Sequence, residues 1–159
     1  MTNPRVVLDS NVIISSLLFT NGKASKIINL WKKHYFDLIT STHILSEVKK
    51  VLIDKQLAKK YRFNPVKQAR LLSQLTHFST IVEVKKPILL GRDENDIPIL
   101  SAAVRGNADY LVTGDQDLLV LAKSKLVTPL KILTPTDFLQ EFMSSEEILE
   151  ECLENLERS

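Results

Sequence analysis

The sequence has very few of the residues that several common protein chemistries need. Its 159 residues include one cysteine, Cys152, so no disulfide can form within the chain and no cysteine-rich metal site is present. The three histidines, His34, His43 and His77, show no spacing typical of a catalytic triad or a zinc site. We therefore expect each histidine at the surface or at the edge of the core, and cysteine- or serine-based catalysis has little support.

Long apolar segments, repeats and low-complexity tracts are also missing. The first apolar run, residues 6–8, is interrupted at once by Asp9, which argues against a secretory leader. No run approaches the ~20 apolar residues that span a membrane. With 44% hydrophobic and 25% charged residues, the composition is that of an ordinary globular protein. The sequence predicts a cytoplasmic protein without membrane contact.

Charge is distributed unevenly along the chain. Residues 137–159 contain eight acidic residues and one arginine, a net charge of −7, so the preceding residues carry +9 of the total of +2. A basic body suggests a polyanionic partner, although a solvated basic surface would have the same composition. The most basic segment, residues 55–67, interleaves cations with aromatic residues. This pattern is typical of RNA-binding surfaces and equally of an ordinary exposed helix. The candidate RNA-binding residues of this segment are Lys55, Lys59, Lys60 and Arg62.

Short apolar strands alternate with amphipathic helices, which predicts an α/β fold with a mainly parallel sheet and helices on both faces. The predicted strands cover residues 5–9, 36–39, 79–83, 110–112 and 131–133. The predicted helices cover residues 12–19, 23–34, 42–53, 65–77, 97–104 and 117–123, and a last helix begins near 136. We predict one domain over residues 1–143 and an acidic, amphipathic C-terminal helix over residues 144–159.

The stretch from residue 109 to 119 reads as a buried strand, a turn at Gly114 and a helix start. Parallel sheets bind their ligands at the carboxyl edge of the strands, where Asp115 and Asp117 would lie. We expect Gly114 to use backbone angles that other residues cannot adopt. Alternatively, Asp115 caps the helix and Asp117 is a favourable first-turn carboxylate.

Three further acids stand at comparable places. Asp9 ends the first predicted strand, Asp96 lies at a helix start, and Glu47 lies on the apolar side of a helix. Carboxylates sharing a partly buried cleft need a counter-charge, and an all-oxygen ligand set favours Mg²⁺ or Mn²⁺. Such an ion can activate water and neutralise charge on a phosphoryl oxygen. Beside a basic body, this describes a phosphodiesterase that acts on nucleic acid.

Four segments resemble the PIN domain family, close to the VapC-type toxins of prokaryotic toxin–antitoxin systems. They are VVLDSNVIISSL, ILSEVKKVL, RDENDIPIL and ADYLVTGDQDLL, and the resemblance covers residues 4–138 in the right order. It implies a metal-dependent endoribonuclease that prefers single-stranded RNA, on a three-layer α/β/α fold that is often dimeric. It also implies inhibition by a small antitoxin protein that binds beside the active site.

The resemblance also assigns roles by position. The acidic, catalytic quartet corresponds to Asp9, Glu47, Asp96 and Asp115, of which Asp9, Asp96 and Asp115 are the metal ligands. Accessory positions correspond to Asn11, Thr113 and Asp117. Two departures stand out. Ile97 and Pro98 follow Asp96 where polar residues are usual, so Asp93 is an alternative ligand, and the acidic tail lies outside the pattern.

Other functions fit the sequence less well. Haloacid-dehalogenase-like phosphatases need a second acid two residues after the first, where Asn11 stands, and a lysine near the later acids, where none lies between Asp96 and Asp117. Receiver domains usually carry two adjacent acids after the first strand, and here Asp9 stands alone. The remaining alternative is a non-catalytic PIN-like module that binds RNA or protein.

Overall fold

A five-stranded parallel β-sheet organises the chain. The computed structural model describes residues 3–83, 96–124, 127–143, 150, 153–154 and 156–158, with only the backbone at 96 and 97. The strands are β1 (Arg5–Leu8), β2 (Asp37–Ser41), β3 (Thr80–Val82), β4 (Tyr110–Val112) and β5 (Lys131–Leu133). The helices are α1 (Ser10–Leu18), α2 (Lys23–Lys32), α3 (Thr42–Ile53), α4 (Lys55–Tyr61), α5 (Pro65–Phe78), α6 (Asp96–Arg105), α7 (Gln116–Leu119), continued by a 3₁₀ turn (Val120–Lys123), and α8 (Pro135–Phe142).

The strand order is β3-β2-β1-β4-β5, and every neighbouring pair is parallel. The chain builds outward from β1 to β2 and β3, then returns to add β4 and β5 on the other side. Right-handed crossovers in opposite directions place the connecting helices on opposite faces. After Arg5, the central strand is accordingly apolar, with Val6, Val7 and Leu8 fully buried. The predicted three-layer α/β/α fold is confirmed.

Capping side chains define where several helices begin. Ser41 accepts a hydrogen bond from the backbone amide of Ile44 at the start of α3. Asn64 caps α5, whose first residue is Pro65, the position where proline costs no helical hydrogen bond.

Three early helices differ from the sequence prediction. α1 begins at Ser10, two residues before the expected start, and α2 ends at Lys32, two residues before its expected end. α4 is not among the predicted helices.

An aromatic cluster anchors α8 to the sheet layer. The ring of Phe138 packs edge-on against Phe36, at 5.9 Å between centroids, and against Tyr110 at 5.4 Å. Phe142, one turn later, stacks on Phe138 at 5.0 Å. Phe138 is fully buried, so α8 belongs to the same core as β2 and β4.

The prediction for Gly114 is wrong. None of the described glycines has positive φ, and a Cβ placed on Gly114 would meet no atom within 4 Å. Left-handed backbone occurs instead at His34, Arg62 and Asn107, with φ of 66°, 53° and 52°. The exit from β4 therefore makes no conformational demand that only glycine could meet.

The C-terminal segment is described in part. The apolar positions that make the predicted tail helix amphipathic are Leu149, Cys152, Leu153 and Leu156. Leu149 and Cys152 lie outside the described residues, whereas Leu153 and Leu156 are exposed. Glu154 pairs with Lys33 at 3.3 Å between Oε2 and Nζ. Among the described helices, none has the length and apolar character needed to cross a membrane.

Candidate active site

The candidate site lies where the topology of the sheet reverses. β1 and β4 are neighbours, but the connections that follow them run in opposite directions along the sheet. This leaves a crevice beyond their carboxyl ends, the usual ligand position in open α/β sheets. Asp9 immediately follows β1, and its backbone amide donates to the carbonyl of Val112 at 3.0 Å. Thr113 immediately follows β4, so the parallel pairing of β1 with β4 brings the side chains of Asp9 and Thr113 together.

Asp9 is a buried carboxylate, with 4% of its surface exposed. Its Oδ2 accepts a hydrogen bond from the hydroxyl of Thr113 at 2.7 Å, and its Oδ1 accepts a longer one from Ser10 at 3.3 Å. Burial raises the pKa of Asp9 above its ordinary value, and the charge of Glu47 acts in the same direction. The hydroxyls of Thr113 and Ser10 and the backbone amide of Asn11 oppose the shift without cancelling it.

Glu47 reaches the same site from α3. Its Oε2 accepts a hydrogen bond of 2.7 Å from the Ser10 hydroxyl, and its Oε1 lies 2.8 Å from Nε2 of His43. The Glu47 side chain is 29% exposed, so it lies at the rim, next to the buried Asp9. Ser10 therefore joins the two carboxylates, donating its proton at the shorter distance to Glu47.

Thr113 connects Asp9 with Asp115. Its hydroxyl donates to Asp9 and accepts from the backbone amide of Asp115 at 3.0 Å, so the hydroxyl proton is committed to Asp9. Asp115 is partly buried and caps α7, since its Oδ1 accepts from the backbone amide of Asp117 at 2.9 Å. The capping alternative for Asp115 and Asp117 thus describes their geometry, and both remain beside the Asp9 network.

The other predicted site residues are less closely involved. Asn11 is exposed in the first turn of α1. Asp96 is the first residue of α6, but its side chain, like all of Asp93, lies outside the described residues. The basic residues proposed to bind RNA are exposed on or just after α4, and the Lys60 ammonium lies 5.3 Å above the ring of Tyr61.

Two residues of this network were not identified from the sequence. Ser10 lies between the predicted strand 5–9 and the predicted helix 12–19, and His43 is predicted only to lie at the surface or at the edge of the core. A signal existed for His43, because it precedes Glu47 by four residues and therefore shares its helix face. No sequence signal indicated that Ser10 contacts a residue 37 positions away.

The chemistry of the donors fits a hard divalent cation, although the described residues do not form a complete site. Asp9, Glu47 and Asp115 offer carboxylate oxygens, the ligands that Mg²⁺ and Mn²⁺ prefer. The raised pKa of Asp9 indicates a buried carboxylate whose charge its protein partners only partly compensate. Within the described segments, no group of three or more His, Cys, Asp or Glu side chains is close enough together to hold an ion.

The parallel sheet and the acidic crevice at its switch point are the features to compare with known protein families. Residues 5–117 match the PIN domain family, so the chain belongs to this family. An uncharacterized protein of Methanocaldococcus jannaschii, MJ1680, is 31% identical over 143 residues, covering 87% of this chain and 91% of that protein.

A solved structure supports the same fold. The crystal structure of VapBC2 from Rickettsia felis, bound to a DNA fragment from their promoter, has a TM-score of 0.51 with this chain at 17% identity. The match covers 82% of this chain and 98% of that one. PIN domains are in general nucleases that use divalent metals, so family membership places the acidic crevice among candidate nuclease sites.

Proposed function

We propose that this protein is a metal-dependent endoribonuclease that hydrolyses phosphodiester bonds of single-stranded or structured RNA. The observation that carries the proposal is the buried Asp9 carboxylate at the β1/β4 switch point, joined by hydroxyl groups to Glu47 and to the start of α7. Hydrogen bonds from hydroxyl groups would satisfy a structural aspartate equally well, but a second carboxylate beside it, Glu47, is unfavourable unless a cation offsets the charge.

We assign different roles to the residues of the crevice. Asp9, Asp96 and Asp115 would hold Mg²⁺ or Mn²⁺, which when bound supplies an activated water and offsets charge on the phosphoryl oxygens. Thr113 fixes Oδ2 of Asp9, while Oδ1 makes the longer contact to Ser10. Glu47, held through both oxygens, is the carboxylate we assign to accept a proton. Asn11 and Asp117 are accessory residues at the rim.

The biological role that this activity fits is the toxin of a cytoplasmic toxin–antitoxin pair. The VapBC2 structure with the same fold supports a cognate antitoxin protein as partner. A homodimer would place two acidic crevices in one assembly, and the α4 cations Lys55, Lys59 and Lys60, with Arg62, would add contacts to RNA.

The proposal is tested by incubating a mixed-sequence single-stranded RNA with the protein in Mg²⁺ or Mn²⁺, with EDTA and Asp9→Asn as controls. We expect cleavage that requires the metal and falls at least ~100-fold in the variant, the size of loss typical when a catalytic group is removed. Expression should arrest growth of the host with the wild type and not with Asp9→Asn.

RNA binding without cleavage by the wild type, in either metal, would contradict the enzyme proposal and favour a non-catalytic PIN-like module. Circular dichroism of Asp9→Asn must match the wild type for the comparison to count.

A further inference from the structure

A cationic pocket lies between the α1–α2 pair and α5, apart from the acidic crevice. Its volume is about 260 Å³, slightly below the roughly 300–1,000 Å³ of pockets for drug-sized ligands. Its lining includes hydroxyl and amide groups, such as Ser16 and Asn29, beside three cations. These cations are Lys32 from α2 and Lys67 and Arg70 from α5.

The charge in this pocket is uncompensated within the described structure. No acidic residue lines it, and none of its three cations pairs with an acid in the described part of the chain. Partial desolvation and the neighbouring charges of Arg70 and Lys67 lower the pKa of Lys32. Three like charges from two helices facing one concavity repel each other, and a bound anion would remove that repulsion.

The pocket is connected to the acidic crevice by α1. That helix begins at Ser10, which contacts Asp9 and Glu47, and reaches the pocket at Ser16. Six residues of α-helix correspond to about 9 Å along the axis. The pocket and the crevice are therefore close enough together for one oligonucleotide strand to contact both.

We propose that the pocket formed by Lys32, Lys67 and Arg70 binds a backbone phosphate of the RNA substrate, in the strand that flanks the bond that is cut. The proposal rests on the ribonuclease function above and adds a substrate-positioning site to it. The pocket differs from the α4 patch because its cations, although exposed like those of α4, come from two helices and line one concavity. Cationic donors that line a concavity can hold a phosphate in one place, and an arginine such as Arg70 can do so through two hydrogen bonds.

The test measures RNA binding without cleavage. Full-length Asp9→Asn protein in EDTA is titrated into a fluorescent oligoribonucleotide, with and without the added pair Lys32→Gln and Arg70→Gln, at several salt concentrations. We expect the pair to weaken binding roughly tenfold, the equivalent of one charge-assisted hydrogen bond. The slope of log affinity against log salt should also fall by about 0.7, the value for one phosphate contact on a single strand.

The matched control removes two exposed lysines elsewhere, Lys49→Gln and Lys123→Gln. Equal losses in the pocket pair and the control pair would overturn the proposal, because general charge would then explain both. Melting temperatures serve as the folding check, and removing like charges from the pocket should leave the melting temperature unchanged or raised.

Inorganic phosphate distinguishes a free-anion site from an RNA subsite. Phosphate should shift the backbone amide signals of Asn29 and Arg70 in NMR spectra and compete with the oligoribonucleotide. Shifts without any loss of RNA affinity in the pocket pair would identify a free-phosphate site and overturn the RNA proposal. If the wild type cleaves RNA but the pocket pair binds it normally, this inference fails while the ribonuclease function stands; if RNA is neither bound nor cut, both fail.

Discussion

At the scale of single residues, the site depends on keeping the Asp9 carboxylate out of water. Burial raises its pKa in the folded protein, so the contribution of Asp9 to stability is greatest below the pKa of the unfolded chain. That contribution is lost as the pH rises through the pKa of the folded state. Without metal, ionisation of Asp9 therefore lowers the free energy of unfolding.

Asp9→Asn should consequently raise the melting temperature in EDTA at pH 7 by a few degrees. The gain should shrink as the pH falls toward about 4, the ordinary range of an aspartate, because the protonated carboxyl of Asp9 and the amide of the variant are then nearly equivalent. Thermal denaturation of both proteins across this pH range measures the difference. A variant less stable than the wild type at pH 7 would show that the Asp9 charge is already compensated.

Thr113→Val tests the hydroxyl between Asp9 and Asp115. Thr113 is fully buried, and valine keeps its shape but leaves the Asp115 amide and one Asp9 oxygen without their partner. We expect a loss of about 1–3 kcal/mol in the free energy of unfolding, measured in urea. Thr113→Ser retains the hydroxyl, so its free energy of unfolding should be close to that of the wild type. If Thr113→Ser and Thr113→Val lose the same amount, the loss comes from side-chain packing and not from the hydroxyl.

The acids were easier to identify from the sequence than the groups that orient them. Asp9, Glu47 and Asp115 stand at strand ends and on an apolar helix face, positions that periodicity reveals. Ser10 and His43 are recognised only once α1 and α3 are seen to meet, because the sequence does not specify contacts between distant segments. The special role expected of Gly114 failed since its turn uses ordinary backbone angles.

At the scale of elements, α8 completes the core through its aromatic residues. Phe138→Ala removes a fully buried ring that contacts both Phe36 and Tyr110. We expect a loss of about 3–5 kcal/mol in the free energy of unfolding, as for other buried phenylalanines. Phe78→Ala, at a ring 73% exposed at the end of α5, should change it by about 0.5 kcal/mol or less. If both variants changed the free energy of unfolding by the same amount, α8 would not be tightly packed against the core.

The elements themselves were largely predictable, since short apolar strands between amphipathic helices form a regular pattern. β4 and β5 have the predicted limits. α1 begins earlier because Asp9 already has the extended backbone of an N-cap residue, so Ser10 takes the first helical position. When hydrophobic periodicity is the only signal, polar first residues such as Ser10 and Asn11 make the predicted helix start too late.

At the scale of the whole molecule, a basic body carries an acidic tail. Glu154 pairs with Lys33 at the end of α2, and the preceding residue, Lys32, lines the cationic pocket. The negative tail therefore opposes the approach of a polyanion at low ionic strength.

Neutralising three tail acids, Glu150→Gln, Glu154→Gln and Glu157→Gln, should raise RNA affinity several-fold at low salt. The effect should disappear near 1 M salt, where the Debye length is about 3 Å. Fluorescence anisotropy in Asp9→Asn protein measures both conditions. An affinity gain that persists at high salt would instead indicate that the tail blocks the RNA directly.

The pairing of β1 with β4 joins segments about one hundred residues apart in the chain. A ribosome therefore delivers Asp9 and Glu47 long before it delivers Thr113, which stands more than two thirds of the way along the sequence. A nascent or prematurely ended chain contains both acids but lacks the strand that brings the crevice together. Under the proposed ribonuclease function, a chain that ends before β4 would therefore be inactive, because it lacks Thr113 and Asp115.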